Sequence, residues 1–154
     1  MTFKIEQLKA VMDSVRLDAI LAPIKTASGT TTFCNLNAYR VVQALGLNLF
    51  FNYDADRPMT ANEMVSYMDI MPQAFSKFQS HMIAFDLVNK GCLVFAAQSA
   101  ELHGHIAPIY PSANMITSEK WKCPVPLASN VGLQNQVQGV NYCFADRPDY
   151  YFVV

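Results

Sequence analysis

The chain has 154 residues, of which 52% are hydrophobic and 15% are charged, and 11 Lys and Arg against 12 Asp and Glu leave a formal net charge of −1. A chain of this length buries enough surface to fold without disulfide staples, so we expect one domain over residues 1–154. A near-neutral charge without a basic cluster argues against nucleic acid as a partner.

Four helices are predicted in the first 90 residues, because apolar residues recur there at three- and four-residue spacing. The third of them opens on the capping-box pattern of Thr60 and Glu63. The predicted helices begin near Ile5, at residues 33–35, at Thr60 and near Ser80, and the last three end near Gly46, at Pro72 and near Asn89.

The periodicity changes after Gly91 from helical spacing to short apolar runs, which are typical of strands buried on both faces. Strands are predicted at residues 92–97, 105–110, 125–130 and 150–154, with a weaker pattern at 140–144. Helices first and strands last indicate an α+β fold, with N-terminal helices packed on a C-terminal antiparallel sheet. Pro108 and Pro126 lack an amide hydrogen, so we expect irregular pairing at both.

No membrane span and no export signal are predicted. The longest apolar stretches fall far short of the ~20 residues that cross a bilayer. The first residues, Met-Thr-Phe-Lys-Ile-Glu, lack the apolar core of a signal peptide. We therefore expect synthesis in the cytoplasm without a signal peptide.

Cys34 is the candidate nucleophile among the four cysteines, none of which has the close spacing of a zinc or redox motif. Small polar residues lead into it and a predicted helix leads away from it. Unpaired N–H groups at a helix N-terminus stabilise a thiolate, which is the reactive form of a cysteine. The alternative interpretation of Cys34 is a small buried hydrophobic residue.

A general base for Cys34 has to be one of three histidines. His81 lies within a predicted helix, His103 in a predicted turn, and His105 at the start of a strand after Gly104. His105 is the preferred candidate. His103 and His105 are two residues apart, a spacing that places side chains on the same face of a strand and could suggest a metal site. Two histidines without a third ligand are a weak zinc signal, and no metal or cofactor is predicted.

Asn130 is the candidate for the residue that orients the imidazole. It follows Ser129 on the next predicted strand and precedes Val131 and Gly132. An amide oxygen accepts a hydrogen bond from the far nitrogen of a catalytic histidine as a carboxylate does. The alternative is that Asn130 only forms the turn before Gly132.

Two motifs give the chain a family resemblance over residues 26–132. Thr-Thr-Phe-Cys-Asn at 31–35 opens a helix, and Gly-His-Ile-Ala at 104–107 follows an apolar strand. In this order they resemble the papain-like cell-wall amidases, namely the NlpC-type peptidases and the CHAP (cysteine, histidine-dependent amidohydrolase/peptidase) domains. The resemblance implies a papain-like fold in which Cys34 is the nucleophile, His105 the base and Asn130 the orienting residue.

The same resemblance implies hydrolysis of an amide bond in bacterial peptidoglycan peptides, by a lysin or a secreted interbacterial effector. Such an enzyme acts in the periplasm or cell wall after delivery or lysis, and an inhibitor (immunity) or delivery protein is then a possible partner. Two alternatives stay open. One is a papain-like acyltransferase or deamidase, and the other is a catalytically silent binding module of the same fold.

Overall fold

A computed structural model describes residues 1–154, the whole chain. It has a mixed α+β architecture with five helices and a six-stranded antiparallel sheet. The helices are α1 (Ile5–Arg16), α2 (Cys34–Ala44), α3 (Ala61–Ile70), α4 (His81–Asn89) and α5 (Val140–Cys143). The first four confirm the predicted helices, and the capping box of Thr60 and Glu63 at α3 is fully formed.

Twelve strands form one main sheet and three small hairpins. In chain order they are β1 (Ile24–Thr26), β2 (Gly29–Thr31), β3 (Phe51–Asn52), β4 (Arg57–Pro58), β5 (Phe75–Phe78), β6 (Val94–Gln98), β7 (His105–Tyr110), β8 (Ile116–Ser118), β9 (Cys123–Val125), β10 (Leu127–Asn130), β11 (Gln136–Gly139) and β12 (Asp149–Val153). The main sheet has the order β11-β10-β7-β6-β12-β5 with every pair antiparallel, and β1–β2, β3–β4 and β8–β9 are the hairpins.

Helices cover both faces of the main sheet. Along β6 the buried residues alternate between two cores: Phe95 and Ala97 pack with α1, α2 and α3, whereas Val94 and Ala96 pack with α4 and α5. This alternation explains the continuous apolar run of the sequence, because a central strand covered on both faces has no polar side. The α+β prediction is therefore confirmed, with α4 on the face opposite the first three helices.

Two strand predictions need correction. Residues 140–144 do not form a strand, because Val140–Cys143 makes the single helical turn α5 and buries Val140 against the sheet. A short apolar run does not by itself distinguish a strand from a buried helical turn. The strand predicted at 125–130 is divided at Pro126 into β9 and β10, which belong to different sheets.

The pairing of β7 with β10 stops at Pro108, as the irregular pairing expected there predicts. Only two residue pairs join these strands, Tyr110 with Leu127 and Ile109 with Ala128. Continuing that register would place Ser129 opposite Pro108, which has no N–H to offer the Ser129 carbonyl. The Asn37 side chain of α2 donates to that carbonyl instead, at 3.2 Å. The first turn of α2 thus packs where the two strands part.

Candidate functional site

Cys34 is the first residue of α2, in agreement with the helix start predicted at residues 33–35, and the residue is only 7% exposed. Phe33 precedes the helix without providing a side-chain cap, and the N–H groups of residues 34–36 make no backbone hydrogen bond. Burial raises the pKa of the Cys34 thiol, and this effect outweighs the N–H groups of Ile106, Asn35 and Cys34 itself, which favour the thiolate. The resting thiol is therefore protonated at neutral pH.

His105 and Asn130 are brought together as predicted. The Nε2 atom of His105 lies 3.0 Å from Oδ1 of Asn130, and the ring packs edge-on against Phe144 with centroids 4.9 Å apart. Burial lowers the pKa of His105, while the hydrogen bond to Asn130 acts in the opposite direction. The imidazole is therefore neutral at physiological pH.

The amide of Asn130 is fixed in one orientation, and this determines the tautomer of His105. Nδ2 of Asn130 donates to the Gln134 carbonyl at 3.0 Å, so Oδ1 is the atom that faces the histidine. Because an amide oxygen only accepts, Nε2 of His105 carries the hydrogen. In the neutral ring Nδ1 then has a free lone pair, which is the form that a general base needs.

Cys34 and His105 open on two neighbouring depressions of the surface rather than one. We call them the Cys34 groove, of about 470 Å³, and the His105 pocket, of about 280 Å³. Thr32 is the one residue that lines both. The thiol approaches the N–H of Ile106, next to His105 in the chain, but no hydrogen bond joins the thiol to the imidazole.

Both depressions have polar walls without Lys, Arg, Asp or Glu. Threonine hydroxyl groups and the amides of Asn35 and Asn62 line the Cys34 groove, and Gln134, Gln138 and Asn130 line the His105 pocket. Hydroxyl and amide groups both donate and accept hydrogen bonds. The walls therefore suit an uncharged ligand rich in peptide groups.

Asn37 is a site-supporting residue that the sequence reasoning missed. It is fully buried one turn after Cys34, and its bond to the Ser129 carbonyl ties α2 to the strand that bears Asn130. Its Oδ1 atom and the Ser129 hydroxyl are buried without partners. The available signal was a polar residue on the same helix face as Cys34 and Val41, where apolar side chains are the rule.

Asn62 holds the loop that leads into His105. Its side chain accepts from the Ala100 N–H at 3.1 Å and donates to the Ala100 carbonyl at 2.8 Å. Gly104 lies against this clamp, since a Cβ there would overlap the Asn62 side chain and lie 2.8 Å from the Gln98 carbonyl oxygen. The glycine of the Gly-His-Ile-Ala motif is thus required by close approach.

The other two histidines are separate from the His105–Asn130 pair. His103 is exposed and lines the Cys34 groove. His81 lies half-buried on α4, stacks on Trp121, and has Nδ1 2.6 Å from the Tyr150 hydroxyl. No group of three or more His, Cys, Asp or Glu side chains is arranged to hold a metal ion.

No protein-family model matches the chain, and no curated protein matches it. None of the five helices combines the length and the hydropathy needed to cross a membrane.

Proposed function

We propose that this protein is a cysteine amidase or endopeptidase that hydrolyses an amide bond in the peptides of bacterial peptidoglycan. Cys34 is the nucleophile, His105 the general base and acid, and Asn130 the residue that orients the imidazole. The resemblance of residues 26–132 to papain-like cell-wall amidases supplies the substrate class. Since peptidoglycan lies outside the cytoplasm, the proposal includes delivery by another protein or by lysis.

The hydrogen-bond arrangement of His105, Asn130 and Gln134 is the observation that carries the proposal. Asn130 is locked by the Gln134 carbonyl, and the hydrogen of His105 therefore lies on Nε2. A histidine with only a structural role does not need a lone pair on Nδ1 that has no hydrogen-bond partner. The chemistry of acyl transfer needs that lone pair, next to a thiol that starts protonated.

The reaction begins with proton transfer from the Cys34 thiol to Nδ1 of His105, as the sulfur attacks the amide carbonyl carbon. The unpaired N–H groups at the start of α2 stabilise the resulting oxyanion. The C–N bond then breaks, and the leaving amine takes the proton from Nδ1. Water next attacks the thioester, gives its proton to Nδ1, and releases the acid as the thiol is restored.

Substrate binding has to bring Sγ of Cys34 and Nδ1 of His105 within hydrogen-bond distance, because the resting thiol and imidazole face adjoining depressions. Catalytic hydrogen bonds are often long in unliganded enzymes and tighten only with substrate. A peptide that crosses Thr32 contacts both walls, and its backbone amides match their hydroxyl and amide groups.

The test is digestion of purified sacculi, with the released fragments identified by mass spectrometry. The parent protein is expected to release muropeptides cut at one amide bond. Cys34→Ala and His105→Gln are expected to fold and to lose about 10⁴-fold in rate, whereas Cys92→Ser serves as the matched control. Equal hydrolysis by Cys34→Ala overturns the proposal. Transfer of the acyl group to a second substrate would instead assign the same residues to an acyltransferase. A Gln-to-Glu change in a protein would assign them to a deamidase.

A catalytically silent binding module is the second candidate, and the burial of Cys34 favours it. A thiol that is 7% exposed and has a raised pKa is a poor nucleophile unless the site rearranges. This candidate predicts that the parent binds sacculi in a pull-down and releases no fragment from them. Fragment release that depends on Cys34 excludes it.

A further inference from the structure

A third depression, which we call the aromatic groove, lies beside the Cys34 groove and has a different lining. It encloses about 380 Å³ at the β3–β4 hairpin. Its walls are built mainly from Phe51, Tyr53, Tyr67, Met59, Asn48 and Asp54. Aromatic side chains with a few polar groups form the usual lining of a small-molecule site.

The two rings of this hairpin form an open corner. Phe51 and Tyr53 have centroids 5.1 Å apart and planes inclined by 70°. Tyr53 is 70% exposed, and its hydroxyl is held by the side-chain oxygen of Asn48 at 3.1 Å. This hydrogen bond holds the Tyr53 ring at the solvent-exposed surface. The ring therefore presents apolar surface that no part of this chain covers.

The backbone near these two rings has two unusual torsion angles. Phe50, just before β3, and Asp56, the last residue of the turn, have positive φ angles of 66° and 49°, a region that residues other than glycine seldom adopt. Glu63 ties the hairpin to α3, because it accepts from both terminal guanidinium nitrogens of Arg57 and from the Asn52 side chain. Strain held by surrounding contacts is typical of binding sites, where it preorganises the ligand surface.

Two polar groups in the aromatic groove, the Asp54 carboxylate and the Asn48 amide nitrogen, have no partner within the chain and can bind a ligand. The Asp54 carboxylate makes no hydrogen bond or ion pair within the chain, and Asn48 uses only its oxygen, for Tyr53. A carboxylate acceptor and an amide donor beside an aromatic ring are the groups that bind a sugar ring. Its C–H face packs on the ring, while neighbouring hydroxyl groups bond to the carboxylate and the amide.

The aromatic groove and the Cys34 groove meet at one short segment. Met59 lines the first, and the next residues, Thr60 and Ala61, line the second. Asn35, which follows the nucleophile, donates to the Met59 carbonyl at 2.9 Å. The two depressions therefore adjoin each other at this segment.

We propose that the aromatic groove is a saccharide subsite, which binds a neutral pyranose of the glycan to which the cleaved peptide is attached. The inference rests on the proposed function in taking the sugar and the cleaved peptide as parts of one substrate. It adds that the enzyme prefers glycan-linked stems to free peptides. Sugar binding itself requires no catalysis, so the two proposals fail separately.

The first experiment measures binding of tri-N-acetylchitotriose to the full chain by NMR titration. Saturable shifts are expected in residues 48–59. Tyr53→Ala is expected to weaken binding about tenfold, which corresponds to ~1.4 kcal/mol. Tyr53→Phe keeps the ring and is expected to bind within about threefold of the parent, and Asp54→Asn is expected to lose about threefold or more. Leu17→Ala, an exposed apolar residue outside the groove, is the control.

The second experiment compares hydrolysis of a disaccharide-linked stem peptide with that of the same peptide without sugar. Tyr53→Ala is expected to raise KM about tenfold on the first and to leave the second unchanged. No saturable shift at residues 48–59, or an unchanged affinity in Tyr53→Ala, overturns the subsite. If Cys34→Ala hydrolyses both peptides like the parent, the proposed function fails, and the sugar titration still decides the subsite.

Discussion

The side-chain amide of Asn37 donates to the main-chain carbonyl of Ser129 across 3.2 Å, although the two residues are 92 positions apart in the chain. This bond joins the helix that begins with Cys34 to the strand that ends with Asn130. It also replaces the strand partner that Pro108 cannot provide. The relative position of the three candidate residues therefore depends on a residue that takes no part in the chemistry.

Asn37→Ala is expected to lower the free energy of unfolding by about 1–3 kcal/mol, because the buried Ser129 carbonyl loses its donor. Urea unfolding at equilibrium measures the change. Gln43→Ala on the exposed side of the same helix is the control and should stay within about 0.5 kcal/mol of the parent. If Asn37→Ala matches that control, the bond does not contribute to stability.

Gly104→Ala is expected to destabilise the protein by about 1–3 kcal/mol through overpacking. The added methyl would overlap the Asn62 side chain and approach the Gln98 carbonyl oxygen to 2.8 Å. Thermal and urea unfolding check the loss, with Ser99→Ala in the exposed part of the same loop as the control. A Gly104→Ala protein as stable as the parent would mean that the loop moves aside freely.

The acid limb of kcat/KM is expected below pH 6.5, since burial lowers the pKa of His105 and only the neutral ring accepts the thiol proton. Asn130→Asp would place a carboxylate beside Nε2, favour the imidazolium and move this limb to higher pH. His81→Gln should leave it in place. NMR titration of the His105 ring follows the same pKa without activity, and an upward shift from 6.5 in the parent would contradict the prediction.

Alkylation of Cys34 by iodoacetamide is expected to accelerate about tenfold per pH unit from pH 7 to 9, because the raised pKa keeps the thiol protonated over that range. Peptide mapping by mass spectrometry separates Cys34 from the other cysteines. Cys143 should react more slowly at each pH, since burial raises its pKa to about 12. A rate for Cys34 that levels off below pH 8 would instead reveal a preformed thiolate.

Local patterns predict much of this fold. Amphipathic spacing and a capping box were sufficient for α1–α4, and β7 has the predicted bounds of 105–110 at both ends. The edge strands β5 and β11 were not predicted. β11, with the sequence Gln-Val-Gln-Gly, is only partly buried and carries little apolar signal, so its strand conformation depends on pairing with β10. A strand that forms by pairing with another strand leaves little signal in its own local sequence.

The candidate site was likewise only partly predictable from the sequence. The proximity of His105 and Asn130 followed from their places on successive strands, and Cys34 begins its helix as predicted. The sequence did not reveal that Cys34 and His105 line two neighbouring depressions that share Thr32, because that depends on how α2 packs against the sheet. It also did not reveal Asn37, whose partner lies on a distant strand.

Pro108 would attract the attention of anyone redesigning this sheet, since a central, buried strand is a poor place for proline. Replacing it with valine would restore an amide hydrogen opposite Ser129 and allow β7 and β10 to pair further. The improved strand would compete with Asn37 for the same carbonyl and push the first turn of α2 outward. Replacing Pro108 with valine would make the strand more regular but is expected to displace Cys34. Pro108 should therefore be retained in any engineered variant.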